Sequence, residues 1–374
     1  KNIFIFFSFG VSLKTWDEKK ILDREIGYYN KLQKNNYKLT FVTYGDKNDL
    51  KFKKKIKNIK ILPIFRNIKK NFFTKYLIFL IAPFILQKSM NECEIIKTHQ
   101  ISGGLLAVTC AFFYKKKLIV RAGWEPTQNY RKWNIGFFKY LLLFLNSLIS
   151  YKFSKKIITT SSELKNFINK KYTINKNKIS IIPNAINVDR FKRFNIKKYK
   201  NRAINISRLE HQKNLFKLLD ICKSSKLNID IIGSGKQLIQ LKRYANSLGV
   251  RVQFLGQIKN DKISKMLSKY MFYLTASKIE GSPKSIMEAM SAELPIFGLK
   301  AKGLSSLVVN GKTGYLYSDI KKLSNAIIKN KKNNNHLKKI GKNAREQILR
   351  KFSLKKNIIL EKKIFDNLIN EKQN

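Results

Sequence analysis

Short β-branched runs alternate along the chain with longer helical segments. Strand-like runs fall at residues 3–7, 39–43, 59–62, 95–98, 118–120, 157–160 and 179–182. The second half repeats the pattern at 202–206, 228–232, 252–255, 272–274, 295–298 and 314–316. Helical segments lie between most of them, among them 18–34, 163–171, 215–224, 236–248 and 285–291. Such alternation predicts parallel sheets covered by helices on both faces, and the connections are long enough for βαβ units. The strands are too many for one small sheet. A break is expected after Ile182, where Pro183 and Asn184 end a strand and a polar, basic stretch follows at 191–202. The expected class is therefore α/β, with two Rossmann-like parallel-sheet domains facing a cleft, over 1–184 and 185–350. The segment 351–374 contains a charged amphipathic helix, expected to pack back on the N-terminal domain.

Composition sharpens this picture in three places. A chain of 374 residues with 44% apolar residues can bury two cores and is too apolar for disorder. The formal net charge of +54 favours anionic partners at low salt. Lysine runs occur in both halves, however, so a chain-wide bias toward lysine on solvated faces is the other reading. Two apolar segments, 76–86 and 135–149, fall short of the ~18–20 residues that span a bilayer. Their flanks are basic: Lys69, Lys70 and Lys75 for the first, and Arg131, Lys132, Lys152 and Lys155 for the second. Two readings stay open for each, a helix lying in an anionic membrane interface and a core helix packed on a sheet. Cys93, Cys110 and Cys222 are widely spaced, with neither metal-ligand spacing nor a disulfide framework. That usage fits a reducing cytoplasm, with the inner face of the cell membrane as a further location. Residues 1–9 are apolar but short and lack a small-residue cleavage site, so they read as a first strand.

Candidate chemistry concentrates in the second half. Glu280-Gly-Ser282-Pro283-Lys-Ser285-Ile286-Met-Glu288-Ala-Met follows an apolar strand. Strand, turn and helix in that order put the turn at the carboxyl end of a parallel strand, where open α/β sheets bind ligands. A helix starting near Pro283 aims backbone N–H groups at that crevice, which suits phosphate. Glu280 and Glu288 can grip two sets of hydroxyls. Earlier, Arg208 and Lys213 stand five residues apart in a loop after a strand, and a diphosphate could be held by such cations. Gly233-Ser-Gly235 forms another strand–turn–helix junction, read either as close backbone approach to a ligand or as a tight turn. A further strand ends at Gly256-Gln257.

In order and spacing, the elements over about 179–317 resemble the C-terminal half of glycosyltransferase family 4, the glycosyl transferases group 1, which have the GT-B fold. The motifs are the strand with Arg208 and Lys213, the Gly233/Gly235 turn and Phe254-Leu-Gly256. Glu280 and Glu288, with seven residues between them, follow with Ala-Met and then Pro295. Ile181-Ile-Pro183-Asn184 resembles the family's interdomain segment, and Asn310-Gly-Lys-Thr-Gly-Tyr-Leu matches its tail. The N-terminal half resembles the family less sharply. Gly10 stands where the family keeps a glycine near the donor phosphates. His99 follows a strand at a place where many relatives have a histidine touching the transferred sugar. There are departures: Glu293 stands in place of a usual glycine, Ser306 where a second donor-side glutamate is common, and Lys302-Gly303 in place of a glycine pair.

What the resemblance implies is a retaining transfer from a nucleotide-sugar donor to a glycan or lipid-linked acceptor in cell-surface polysaccharide synthesis. Arg208, Lys213, Glu280 and His99 would carry the chemistry. Gly10, Gly233, Gly235, Gln257, Ser282, Pro283, Ser285, Ile286 and Glu288 would surround the donor. No metal or separate cofactor is expected: the chain has no Asp-x-Asp motif, and Arg208, Lys213 and a helix N-terminus would supply the positive charge. Two rival enzymes share the architecture, an inverting transferase and a sugar-nucleotide epimerase. Charge alone would suggest a nucleic-acid-binding protein, but no reader motif with interleaved aromatics accompanies it.

Overall fold

The structure, a computed structural model, describes all residues except 35, 57, 69–70, 130–134 and 372–374. The chain forms two compact units, one of Lys1–Pro183 with Ile358–Asn374 and one of Asn184–Asn357. In chain order the first unit holds β1 (Asn2–Phe6), α1 (Leu13–Glu18), α2 (Leu22–Gln33), β2 (Lys38–Thr43), β3 (Ile59–Pro63), α3 (Phe72–Met90), β4 (Ile95–Thr98) and α4 (Gly104–Phe113). It continues with β5 (Lys117–Ala122), α5 (Phe137–Phe153), β6 (Lys156–Thr159), α6 (Ser162–Tyr172) and β7 (Ile179–Ile181). The second unit holds β8 (Arg202–Ile206), α7 (Leu215–Ser224), β9 (Asn228–Ile232), α8 (Leu238–Leu248), β10 (Val252–Phe254), α9 (Asn260–Leu267) and β11 (Tyr273–Thr275). After these come α10 (Lys284–Ser291), β12 (Ile296–Leu299), β13 (Gly314–Tyr317), α11 (Ile320–Lys331) and α12 (Asn334–Phe352), and α13 (Leu354–Asn370) closes the chain.

Both sheets are parallel throughout. Their strand orders are β3-β2-β1-β4-β5-β6-β7 and β10-β9-β8-β11-β12-β13. Each is a doubly wound, Rossmann-like sheet whose order reverses beside its own first strand, between β1 and β4 and between β8 and β11. Ligands of such sheets bind beyond the carboxyl ends of the strands at the reversal.

Burial explains why the strands read as nearly continuous apolar runs. Ile3, Phe4, Ile5 and Phe6 of β1 are all buried, as expected of a strand covered on both faces. In the second unit neighbouring residues of β8 serve different cores. Ile204 packs with Ile286 and Ile296 on one face, while Ala203 packs with Ile229 and Phe272 on the other.

The helix expected at 18–34 is α2, which begins later, at Leu22, and a separate α1 precedes it. Ser12 caps α1 through a reciprocal pair of bonds with Thr15, and Lys20, at φ +52°, breaks the chain before α2 begins. The apolar segment at 76–86 lies within α3, and the one at 135–149 enters α5 at Phe137. Among the described residues no helix is long and apolar enough to cross a membrane. Of their basic flanks, Lys69, Lys70, Arg131 and Lys132 lie outside the described residues. The three cysteines are free and buried. Glu361, on the part of α13 that belongs to the first unit, is fully buried in an ion pair with Lys97 of β4 and accepts a hydrogen bond from Tyr28 of α2.

Candidate functional site

At the β8 end of the second reversal, the turn after Ile206 is held from its neighbour. The Ser207 N–H donates to Ile232 O at 2.9 Å and the Leu209 N–H to Ser234 O at 2.9 Å. The backbones lie so close that a Cβ at Gly233, φ +142°, would stand 1.9 Å from Ser207 O, and one at Gly235 2.4 Å from Leu209 O. The crowding that demands glycine at these two positions is therefore made by the adjacent turn, so the tight-turn reading describes them. Gln257, just beyond β10, donates from its amide to the Ser234 hydroxyl at 2.7 Å.

Within the held turn Arg208 points outward. Its side chain is 65% exposed, and its guanidinium meets Glu210 at 3.0 Å. Lys213 ends a 3-10 turn, His211–Lys213, which is tied to the β11 loop by the Lys278 N–H donating to Gln212 O at 3.0 Å. That tie delivers Lys213 to Glu280. Their Nζ and Oε1 atoms are 2.6 Å apart, and the two side chains are only 16% and 9% exposed.

Glu280 is fixed from its other side as well. Its N–H donates to Lys302 O at 3.0 Å, and Ile279 bridges Lys302 in parallel. Gly303, φ +81°, has the Glu280 carbonyl where a Cβ would be, 1.9 Å away. Beyond the turn, the Ser282 carbonyl accepts from the Asn184 amide at 3.1 Å, and Pro283 opens α10 with no side-chain cap. Ser285 lies 3.3 Å from the Tyr273 hydroxyl, which donates to Ile206 O at 2.9 Å and accepts from the Ile206 N–H at 3.1 Å. Tyr273 therefore ties the end of β8 to the first turn of α10. Burial first, and then the nearby carboxylates Glu280 and Glu288, raise its hydroxyl above the ordinary range. Glu288 and Ile286 are buried on α10, with the Asn260 amide 3.5 Å from the Glu288 carboxylate. Sequence reasoning missed Tyr273, because an aromatic in a buried strand carries no mark of its hydrogen bonds.

At the reversal of the first unit, Gly10 turns the chain at φ +71° and the His99 N–H donates to Phe6 O at 2.7 Å. His99 is half-buried. Its Nδ1 is 2.9 Å from the Tyr29 hydroxyl, and its ring is flanked by Trp16 at 5.0 Å and Phe7 at 5.9 Å. Tyr29, on α2, was also missed: nothing in the sequence joins it to a histidine seventy residues away.

Arg208, Lys213, Glu280 and the start of α10 thus come to one edge of the second sheet, on adjacent strands β8 and β11. A carboxylate, two cations and a helix N-terminus at one edge can hold a charged ligand carrying hydroxyls. The Glycosyl transferases group 1 family matches residues 188–347, and Glycosyltransferase Family 4 matches residues 28–190. An uncharacterised glycosyltransferase of Methanocaldococcus jannaschii is 27% identical over 58% of this chain, an alignment that spans 60% of that protein. The UDP-Gal:alpha-D-GlcNAc-diphosphoundecaprenol alpha-1,3-galactosyltransferase of Escherichia coli is 24% identical over 75% of this chain and 76% of its own. In fold, the chain is similar to HepE of Anabaena, solved in complex with UDP and glucose. The TM-score is 0.76 at 15% identity, covering 98% of this chain and 99% of that one. With both family matches in sequence order and two doubly wound units beneath them, the chain belongs to glycosyltransferase family 4 and has the GT-B fold.

Proposed function

We propose that the second unit binds the diphosphate of a nucleotide sugar and that the protein transfers the sugar, with retention of configuration and without a metal, to a glycan or lipid-linked acceptor. The observation that carries this reading is the Lys213–Glu280 pair at the β8/β11 reversal. A cation suited to phosphates there stands beside a carboxylate suited to sugar hydroxyls. The relative in Escherichia coli is named for a UDP-sugar donor and a lipid diphosphate acceptor, and the Anabaena neighbour was solved with UDP and glucose.

Arg208 and Lys213 stabilise the charge that grows on the leaving diphosphate, and the first turn of α10, with Ser282, Pro283, Ser285 and Ile286, adds N–H groups. Glu280 orients the sugar, Glu288 takes the ribose hydroxyls, and Gln257 and the 233–235 turn border the nucleotide. Gly10 lets its loop approach the phosphates, and His99 touches the sugar. The bond from the anomeric carbon to the phosphate oxygen breaks as the acceptor oxygen bonds that carbon on the same face. The acceptor's proton passes to the leaving phosphate, so no separate protein base is required. The place of work is the cytoplasmic face of an anionic membrane, in cell-surface polysaccharide synthesis.

A panel of nucleotide sugars, assayed in excess EDTA with proton NMR of the first sugar released, tests this. Retained anomeric configuration is expected. First-formed inverted product would replace the retaining mechanism, and an epimerised nucleotide sugar without any transfer would replace the function.

A further inference from the structure

Three helices of the first unit, α3, α4 and α5, leave a broad apolar face open to solvent. On α3 the exposed apolar positions 73, 77, 80 and 84 recur every three or four residues, which makes one stripe along the helix. Phe84 is 65% exposed, and its ring lies 5.8 Å from that of Phe113 at the end of α4. A second stripe runs along α5, where Phe138 is 72% and Leu142 52% exposed. Isolated exposed apolar side chains are ordinary, but a face of this extent marks a surface that is covered in use.

Charge identifies what covers it. The helices lead into β4, β5 and β6, which are adjacent and parallel, so their carboxyl ends share one edge of the sheet. This is the edge opposite to the one that carries Gly10 and His99. Between the end of α5 and the turn before β7, a pocket of about 630 Å³ opens at that edge. Lys152, Lys155, Lys156 and Lys178 line it, with exposed Phe153 among them and no carboxylate. Lys178 is anchored by its Nζ donating to Lys152 O at 2.8 Å, and Lys156 reaches Asn177 O at 3.3 Å. Two of the four lysines are thus held by backbone carbonyls beside an open pocket that no carboxylate lines. Burial, and then Lys152 and Lys155, push the Lys178 ammonium below its ordinary pKa. Phe153 is the last residue of α5, so the pocket adjoins the apolar face. A free phosphate would use the lysines alone, whereas an anionic lipid uses both parts at once, its phosphate in the pocket and its bilayer against the helices.

We propose that the α3–α4–α5 face docks on a lipid bilayer and that the Lys152/Lys155/Lys156/Lys178 pocket takes the phosphate of an anionic lipid headgroup. The proposal rests on the membrane location given above and adds the surface and the lipid class.

Flotation of the full chain with vesicles of equimolar phosphatidylglycerol and phosphatidylcholine, against phosphatidylcholine alone, tests it. Three variants are compared: Phe84→Ser with Phe138→Ser, Lys152→Gln with Lys155→Gln, and Lys321→Gln with Lys322→Gln on α11 as a charge-matched control. All substituted side chains are exposed, and unchanged donor binding reports an intact fold. Both the apolar and the pocket pair should weaken binding to the anionic vesicles by about tenfold or more, and the control by much less. If the unmutated chain fails to float, the membrane location itself is wrong. If it floats but all variants float equally, the location stands and this surface is refuted. A control loss equal to the pocket loss reduces the pocket to diffuse charge. If Phe84→Ser with Phe138→Ser turns a dimer into a monomer in sedimentation without changing flotation, the face joins two copies of the chain and the proposal is overturned.

Discussion

Replacing Lys213 by alanine removes one half of an ion pair whose other half, Glu280, keeps only 9% of its side chain exposed. Two unit charges 2.6 Å apart attract with a gross energy of about 6 kcal/mol at an effective dielectric constant of ~20. Desolvation offsets most of that. Breaking a fully buried pair costs ~3–5 kcal/mol, and this pair is not fully buried, so about 2 kcal/mol of stability should be lost. The effect on the ligand is separate. A charge-assisted bond to a diphosphate contributes ~1.5–3 kcal/mol, so the Kd for a nucleoside diphosphate should rise about 10- to 150-fold. Glu280→Gln should act in the opposite direction. It keeps Lys213 and removes the anion that competes for it, so the diphosphate should bind as well as before or tighter. Transfer should still fall severely, because the sugar loses the carboxylate that orients it. Calorimetric titration of both variants with the diphosphate, beside turnover, reads both effects. If Glu280→Gln weakens the diphosphate as much as Lys213→Ala, or if Lys213→Ala leaves it unchanged, the phosphate role of Lys213 is wrong.

Other predictions follow from single features. Arg208→Ala should lower kcat more than it raises the donor KM, by ~10²–10³ in rate, because its bond strengthens as the leaving charge develops; steady-state kinetics separate the two. Glu293 holds φ +60°, so Glu293→Gly should be more stable than Glu293→Ala by about 1 kcal/mol in denaturant unfolding, both variants having lost the ion pair to Arg193. Gly303→Ala must displace the Glu280 carbonyl, so it should reduce sugar transfer, as a turnover assay would show. Glu361 is raised by burial but lowered more by Lys97 and Arg121, which leaves its folded pKa below the ordinary 4.5. Its contribution to stability is therefore complete above about pH 4.5 and is lost as pH falls through the depressed value. Glu361→Gln should flatten the acid limb of a stability–pH curve.

Much of the strand framework was legible because parallel strands buried on both faces are continuous apolar runs. Residues 228–232 and 202–206 were delimited by their β-branched content, and both bound the observed strands. The helices near the N-terminus were harder. The signal for α1 was the pair Ser12 and Thr15, three residues apart, and the left-handed turn at Lys20 left no mark in a lysine-rich stretch. The departure at Glu293 was visible as a missing glycine, and the structure gives its physical content: a left-handed backbone held with a side chain present. Pairings across many residues were not legible. Lys213 and Glu280 stand out as residue types in motifs, but their contact depends on the 3-10 turn and the Lys278–Gln212 bond. The buried pair of Lys97 and Glu361 had no sequence signal at all, since one lysine among so many looks like a solvated one.

The central claim is that the diphosphate of the donor sits at the β8/β11 reversal. Hydrogen–deuterium exchange of the full chain, with and without the nucleotide sugar that supports turnover, tests it most directly. Slowed exchange at residues 207–213 and 281–288 is predicted, because the bound donor would cover these two turns. Unchanged exchange in both turns, under conditions where the nucleotide sugar is bound, would contradict it.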